Sequence, residues 1–199
     1  MAKIKNKISV YGDSISTSQQ GAPTRAAKLN RGAGFNDHAV GGQTMKDTLL
    51  GKTTHNGAPM WGGKTFAQQM LVDDCDICVI ALGGNDAPYF RGTYGLMPAT
   101  AVPADYLGAE YLDCAANIRM IHQAAQAAGK RVVVIGMPYM NVQRVVDTGL
   151  LPNIECAKGY ATRYSTMQTV HRVACGFAQL PFISTYGGTP AEMSVQPVP

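Results

Sequence analysis

The chain has 199 residues, the length of one domain, and 46% of them are apolar, which is enough to build a core without disulfide or metal staples. Charged residues make up only 15% of the chain and form no long block of one sign, so neither a charged disordered tail nor a coiled coil is expected. The net charge of +4 is small and scattered, which argues against a nucleic-acid partner.

The sequence carries no sign of export or membrane insertion. No apolar run approaches the length of a membrane span, and no apolar stretch follows the basic residues at the start, so we expect neither a membrane partner nor a signal peptide. The five cysteines are an odd number, which indicates reduced thiols. Cys75 and Cys78 form a lone CxxC beside an apolar run, where core packing is a better interpretation than a redox or metal site. A cytoplasmic protein, or a part of a larger assembly, is expected.

Apolar runs of strand length alternate with helical patterns along the chain. The runs that predict strands are Ile8–Tyr11, Phe35–Val40, Ile77–Leu82, Arg131–Gly136 and Pro181–Ser184. The patterns that predict helices are Pro23–Asn30, Gln43–Leu50, Lys64–Val72, Pro103–Ala128 with Gly129 as its cap, and Pro152–Gly176. This alternation is typical of an α/β fold with a doubly wound parallel sheet. Two long loops, 52–63 and 83–102, are placed where such folds carry their chemistry.

Two Gly-Lys-Thr tripeptides, at 51–53 and 63–65, match the end of a phosphate-binding loop. Such a loop needs another glycine five positions before its second glycine, and the sequence has Lys46 and Ala58 there instead. The GxGxxG fingerprint of dinucleotide-binding proteins is absent as well. No nucleotide cofactor is therefore expected.

Polar or glycine-rich segments follow each of the first three predicted strands. They are Gly12-Asp13-Ser14-Ile15-Ser16, Gly41-Gly42-Gln43-Thr44 and Gly83-Gly84-Asn85-Asp86. Parallel strands end at one edge of their sheet, so Ser14 is a candidate nucleophile beside an oxyanion hole. The donors to that hole would be the Ser14 N–H, the Gly42 N–H and the Asn85 side chain. The competing interpretations are an N-cap serine, a plain strand-to-helix turn and a type I turn.

These three segments resemble the first three blocks of the GDSL/SGNH hydrolases, with Ser14, Gly42 and Asn85 at the matching positions. The resemblance extends from Ile8 to about Ser184. It implies a three-layer α/β/α sandwich of the flavodoxin-like type with a five-stranded parallel sheet. It also implies hydrolysis of acyl or acetyl esters without a metal or other cofactor. Residues 1–199 are accordingly interpreted as a single SGNH-hydrolase-like domain.

The sequence departs from this family at its fifth block, Asp-x-x-His, which supplies the general base and the carboxylate that orients it. No such block follows the last predicted strand before Pro199, and the helix that usually follows it is missing as well. The expectation is that the base comes from sequence beyond Pro199 and that the 199-residue form is impaired. Of the histidines present, His55 and then His38 are the candidate substitutes, whereas His122 and His171 fall within predicted helices.

The expected partner is a small-molecule or carbohydrate ester, with a carbohydrate O-acetyl ester preferred. Trp61, Tyr89, Phe90 and Tyr94 lie in the two long loops and are candidates for an aromatic wall of the pocket. The alternative is that they pack the loops onto the domain. A non-catalytic carbohydrate- or ligand-binding domain on the same scaffold is the alternative function, and no oligomeric state is predicted.

Overall fold

The computed structural model describes residues 7–13, 34–86, 104–136, 142–147, 149 and 153–183. The strands are β1 (Ile8–Gly12), β2 (Phe35–Asp37), β3 (Ile77–Ala81), β4 (Arg131–Ile135) and β5 (Phe182–Ile183). The helices are α1 (Met45–Leu50), α2 (Phe66–Val72), α3 (Ala104–Ala127), α4 (Val142–Asp147) and α5 (Ile154–Phe177). All five predicted strands are present, and the helix predicted over Pro23–Asn30 lies outside the described residues.

The strands form one parallel sheet in the order β2-β1-β3-β4-β5. In the central register, Ile8 to Gly12 of β1 lie opposite Ile77 to Ala81 of β3. This order confirms the predicted doubly wound α/β fold, because the chain moves outward in one direction from β1 to β2 and in the other from β3 to β5.

One face of the sheet packs against the helices because alternate residues of each strand point toward them. Tyr11, Ile80 and Val134 share this face across β1, β3 and β4, and each is at most 1% exposed. Ile118 of α3 and Met167 of α5 join the same core. Burying each such side chain contributes about 1.5–3 kcal/mol, so this layer is a main source of stability.

Side-chain caps and turns set where the elements begin and end. Thr44 and Thr65 cap α1 and α2, which therefore begin at Met45 and Phe66, two residues later than predicted. β2 ends at Asp37 rather than Val40, since the Asp37 carboxylate accepts a hydrogen bond from the Ala39 N–H at 3.0 Å and turns the chain. The short helix α4 was not predicted. Gly129 has the left-handed φ of 71° expected of the residue that ends α3.

All five cysteines are buried free thiols. Burial raises the pKa of the thiols of Cys75 and Cys78, and it brings that of Cys175 to about 11. Such thiols are poor nucleophiles and behave as small apolar side chains, which agrees with the packing interpretation of the CxxC pair. Over the part of the chain that the structure describes, no helix has the length and apolar character needed to cross a membrane.

Candidate functional site

The carboxyl ends of β1 and β3 lie side by side at the point where the strand order reverses. A crevice at such a point is the usual ligand site of open α/β sheets. Asp13 follows β1 here, and its N–H donates to the Ala81 carbonyl of β3 at 3.3 Å. Asp13 is only 2% exposed, so the backbone just before Ser14 is fixed against the neighbouring strand. Ser14 itself lies outside the described residues.

Asn85 connects the three predicted segments at this edge. Its side-chain Nδ2 donates to the Gln43 carbonyl at 3.2 Å and to the Asp13 carboxylate at 3.4 Å. Gln43 follows Gly42, and Asp13 precedes Ser14. The sequence prediction that these segments meet at one edge is therefore seen directly in the contacts of one half-buried amide.

Gly42 lies in the exposed turn after β2 with a φ of 72°. This left-handed conformation favours glycine, because a Cβ would crowd the following carbonyl. The turn is closed by a hydrogen bond from the Gln43 N–H to the Val40 carbonyl at 3.2 Å. The Gly42 backbone thus lies in an exposed turn next to the segment that contacts Asn85.

Asp86 joins the third segment to helix α1, a role that the sequence did not suggest. Both of its carboxylate oxygens accept from the Met45 N–H, at 3.0 and 3.1 Å. Its own N–H donates to the Gly83 carbonyl at 3.2 Å and closes the turn that carries Asn85. A carboxylate at a helix N-terminus satisfies an orphan donor there, so the position of Asn85 is coupled to the start of α1.

His171 lies buried beneath the same turn. A side chain at Gly83, whose φ is 122°, would overlap the imidazole ring, so glycine is required for two separate reasons. The His171 Nε2 lies 2.8 Å from the Cys114 Sγ, and its Nδ1 has no hydrogen-bond partner among the described residues. Burial lowers the pKa of His171 to about 4. The ring is therefore neutral at physiological pH and supports the turn from below.

The loop after α1 is held to the second segment by Gln43. The buried Gln43 amide donates to the Lys52 carbonyl at 2.8 Å and accepts from the Thr54 N–H at 3.1 Å. His55 follows Thr54 and is exposed to solvent. Trp61, at the far end of the loop, packs against Tyr11 with ring centroids 5.6 Å apart. Trp61 therefore packs its loop onto the domain, as the alternative interpretation of the aromatic residues expected. Tyr89, Phe90 and Tyr94 lie outside the described residues.

A second polar cluster surrounds the buried Asp73, which the sequence analysis missed. Its carboxylate accepts from the Ser9 hydroxyl at 2.8 Å and the Tyr11 hydroxyl at 2.5 Å, and it lies 3.2 Å from the His38 Nε2. Burial raises the pKa of Asp73, but hydrogen bonds from His38, Tyr11, Ser9 and the Cys75 N–H outweigh it and hold the pKa below its usual range. Burial and the bond to Asp73 raise the pKa of Tyr11.

The Asp73 cluster explains the position of the His38 side chain. Its ring stacks on Tyr11 with centroids 4.7 Å apart and directs Nε2 toward Asp73. Asp73 in turn contacts Ser9, three residues before the end of β1, which is about 10 Å from the edge in an extended strand. A polar serine within the apolar run of β1 was the one available sequence signal for this cluster.

The fold matches solved structures of SGNH hydrolases. An extracellular lipase from Streptomyces rimosus aligns with a TM-score of 0.59 and 15% identity, over 90% of this chain and 80% of the lipase. A protein from Slackia heliotrinireducens assigned to the SGNH hydrolases gives 0.55 and 19%, over 89% and 77%. The chain has the SGNH-hydrolase fold.

A third solved structure, a GDSL-like lipase from Bacteroides thetaiotaomicron, gives a TM-score of 0.50 and 16% identity, over 92% of this chain and 70% of that lipase. No protein-family model matches the chain, and no curated protein matches it. At these identities the resemblance establishes the SGNH fold alone. The roles of Ser14, Gly42 and Asn85 remain predictions.

Proposed function

We propose that the chain is a serine esterase of the SGNH type that hydrolyses acyl or acetyl esters through an acyl-enzyme. The observation that carries the proposal is the Asn85 side chain, which bonds both the residue before Ser14 and the residue after Gly42. One amide thus links the three segments that would supply the nucleophile and the oxyanion donors. The fold shared with SGNH lipases supports the same chemistry.

In the proposed reaction, the Ser14 hydroxyl oxygen attacks the ester carbonyl carbon and gives its proton to a general base. The resulting oxyanion accepts hydrogen bonds from the N–H groups of Ser14 and Gly42 and from the Asn85 amide. The carbon–oxygen bond to the alcohol then breaks, and the alcohol takes the proton from the base. Water attacks the acyl-Ser14 ester in the same way, which releases the acid and restores the serine.

The proposed general base is either His55 or a histidine supplied from outside these 199 residues. His171 is buried with a lowered pKa, and the Nε2 of His38 is directed to Asp73, so neither is suited to take the proton of Ser14. His55 is exposed and follows Thr54, whose N–H bonds the side chain of the second segment. A His55→Ala variant that loses turnover would assign the base to His55, and one that keeps full turnover would exclude His55.

The experiment that tests the nucleophile is labelling with a fluorophosphonate, followed by mass spectrometry, together with turnover of p-nitrophenyl acetate. We expect one adduct on the peptide that contains Ser14 and none in Ser14→Ala. Ser16→Ala is the matched control, because it alters another serine of the same segment. It is expected to keep the adduct, since Ser14 is still present. Equal labelling of the wild type and Ser14→Ala would contradict the assignment. O-acetylated carbohydrates are the proposed substrates to assay first.

A non-catalytic ligand-binding domain is the second candidate. It is favoured by the Asn85 amide, both of whose hydrogens are already used, by the half-buried His38, which is directed to Asp73, and by the fully buried His171. This candidate predicts that an oligosaccharide binds in calorimetry with no covalent adduct on Ser14. Binding lost in Asn85→Ala, with no labelling of the wild type, would favour it over the esterase.

A further inference from the structure

An apolar groove runs between the long helices α3 and α5 on the exposed side of the domain. It has a volume of about 670 Å³, and Ala115, Met120, Ala174 and Phe177 are among the residues that line it. Phe177 is 88% exposed and Met120 is 47% exposed. Large apolar side chains gathered around one groove in this way mark an interaction surface more often than scattered ones do.

The exposed stripe of α3 beside this groove is complementary to its own antiparallel copy. Leu112 and Met120 lie four residues on either side of Ala116, and Asp113 and Arg119 lie three residues on either side. All five residues are exposed or half-exposed on the same helix. If α3 met a second α3 across a twofold axis at Ala116, each Leu112 would face a Met120 and each Asp113 would face an Arg119.

We propose that this groove is a homodimer interface in which two α3 helices pair antiparallel about Ala116. Leu112, which is 73% exposed, fills the space between Met120 and Phe177 of the other copy, and the exchange occurs twice by symmetry. The small side chain of Ala116 allows the two helices to approach closely at the axis. Two Asp113–Arg119 pairs then flank the apolar centre and fix the antiparallel direction. A second copy is favoured over another partner because the apolar and the charged positions obey the same symmetry.

The first test is the molar mass of the full chain by sedimentation or light scattering over a range of concentrations. We expect a species of twice 21.1 kDa that dissociates on dilution. Phe177→Glu is expected to raise the dissociation constant of the dimer by at least about tenfold, because it places a charge in the apolar centre of the interface. Leu71→Glu is the matched control, since Leu71 is 70% exposed on α2 outside the groove, and it leaves the dimer unchanged. A monomer at every concentration would overturn the proposal.

The second test reverses the charges. Asp113→Arg or Arg119→Asp alone weakens the dimer, because each creates two facing pairs of like charge, and the double reversal restores it. A double variant that stays as weak as the single ones would refute the antiparallel pairing. The circular dichroism of each variant shows that the fold is retained.

A cysteine placed at the proposed twofold axis gives an independent test of the dimer. Because all five native cysteines are buried, the wild type supplies no background of surface thiols. Ala116→Cys is expected to form a covalent dimer on mild oxidation, as two residues on a twofold axis come within disulfide reach. Ala67→Cys, at an exposed position of α2, is the control and stays monomeric on a denaturing gel. Equal cross-linking of both variants would contradict the placement of the axis.

Discussion

Replacing Asp73 with asparagine tests whether the buried carboxylate stabilises the fold through its charge. The Oδ2 atom accepts a hydrogen bond from Tyr11 at 2.5 Å and lies 3.2 Å from the His38 Nε2. Asparagine keeps the size of the side chain and one acceptor oxygen, but it places a neutral NH₂ group where this second oxygen was. The contacts to Tyr11 and His38 are then made by a donor without charge.

The expected cost follows from those two contacts. A hydrogen bond to a charged group contributes about 1.5–3 kcal/mol, and one between neutral groups about 0.5–1.5 kcal/mol. Changing these two bonds from the first kind to the second predicts that Asp73→Asn lowers the free energy of unfolding by at least about 2 kcal/mol, since the bonds from Ser9 and the Cys75 N–H lose their charged acceptor as well. Urea denaturation followed by circular dichroism at pH 7 measures this difference.

The effect depends on pH in a direction that the structure fixes. The pKa of Asp73 is lower in the folded chain than in the unfolded chain, so its stabilisation is fully present above the ordinary carboxyl pKa and is lost as pH falls toward the folded pKa. The gap between wild type and Asp73→Asn therefore narrows from pH 7 to pH 3. Asp74→Asn is the control, because that neighbouring carboxylate is exposed, and it changes stability little. A gap that stays constant with pH, or no gap at pH 7, would refute the role of the charge.

Three further predictions concern the turn that carries Asn85. Gly83→Ala lowers the free energy of unfolding by at least about 2 kcal/mol, because its Cβ would overlap the His171 ring. In a His171→Ala background the same Gly83→Ala change is expected to cost less, and thermal melts of the four proteins measure both differences. The folded pKa of His171 is about 4, below its unfolded value, so the free energy of unfolding of the wild type falls by up to roughly 3 kcal/mol between pH 6.5 and pH 4. Urea titrations are expected to show a smaller fall for His171→Gln, and equal falls would contradict the buried neutral ring. For the proposed esterase, Asn85→Ala lowers kcat for p-nitrophenyl acetate by about 10²–10³ with KM less affected, and an unchanged kcat would remove Asn85 from the oxyanion hole.

The strands and their shared edge were predictable from the sequence because each signal is local. Ile77–Ala81 reads as a continuous apolar run, and a strand buried within a parallel sheet has that pattern whatever its neighbours are. The three polar segments follow such runs directly, so their meeting at one edge follows from parallel order alone. The contacts of Asn85 agree with this prediction.

The Asp73 cluster was not predictable in the same way. Its contacts join Tyr11 and Ser9 to Asp73, which lies 62 and 64 positions further along the chain. No spacing rule relates a strand to the end of a helix that far away in sequence. His171 beneath Gly83 is a similar case, since a histidine in a helix gives no sign of which glycine it supports. The starts of α1 and α2 could have been predicted more accurately, because Thr44 and Thr65 are residues that commonly cap helices and the predicted boundaries did not use them.

The two hydrogen bonds of Asn85 differ in a way that bears on the proposed chemistry. The bond to the Gln43 carbonyl is shorter, at 3.2 Å, and it orients the amide plane against the second segment. The bond to the Asp13 carboxylate is longer, at 3.4 Å, and is the weaker of the two. An oxyanion formed at Ser14 would compete with Asp13 for that second hydrogen. In the proposed esterase, the bond to Gln43 would continue to hold the amide while the weaker bond to Asp13 is given up. The proposed oxyanion role would thus cost Asn85 only the weaker of its two present hydrogen bonds.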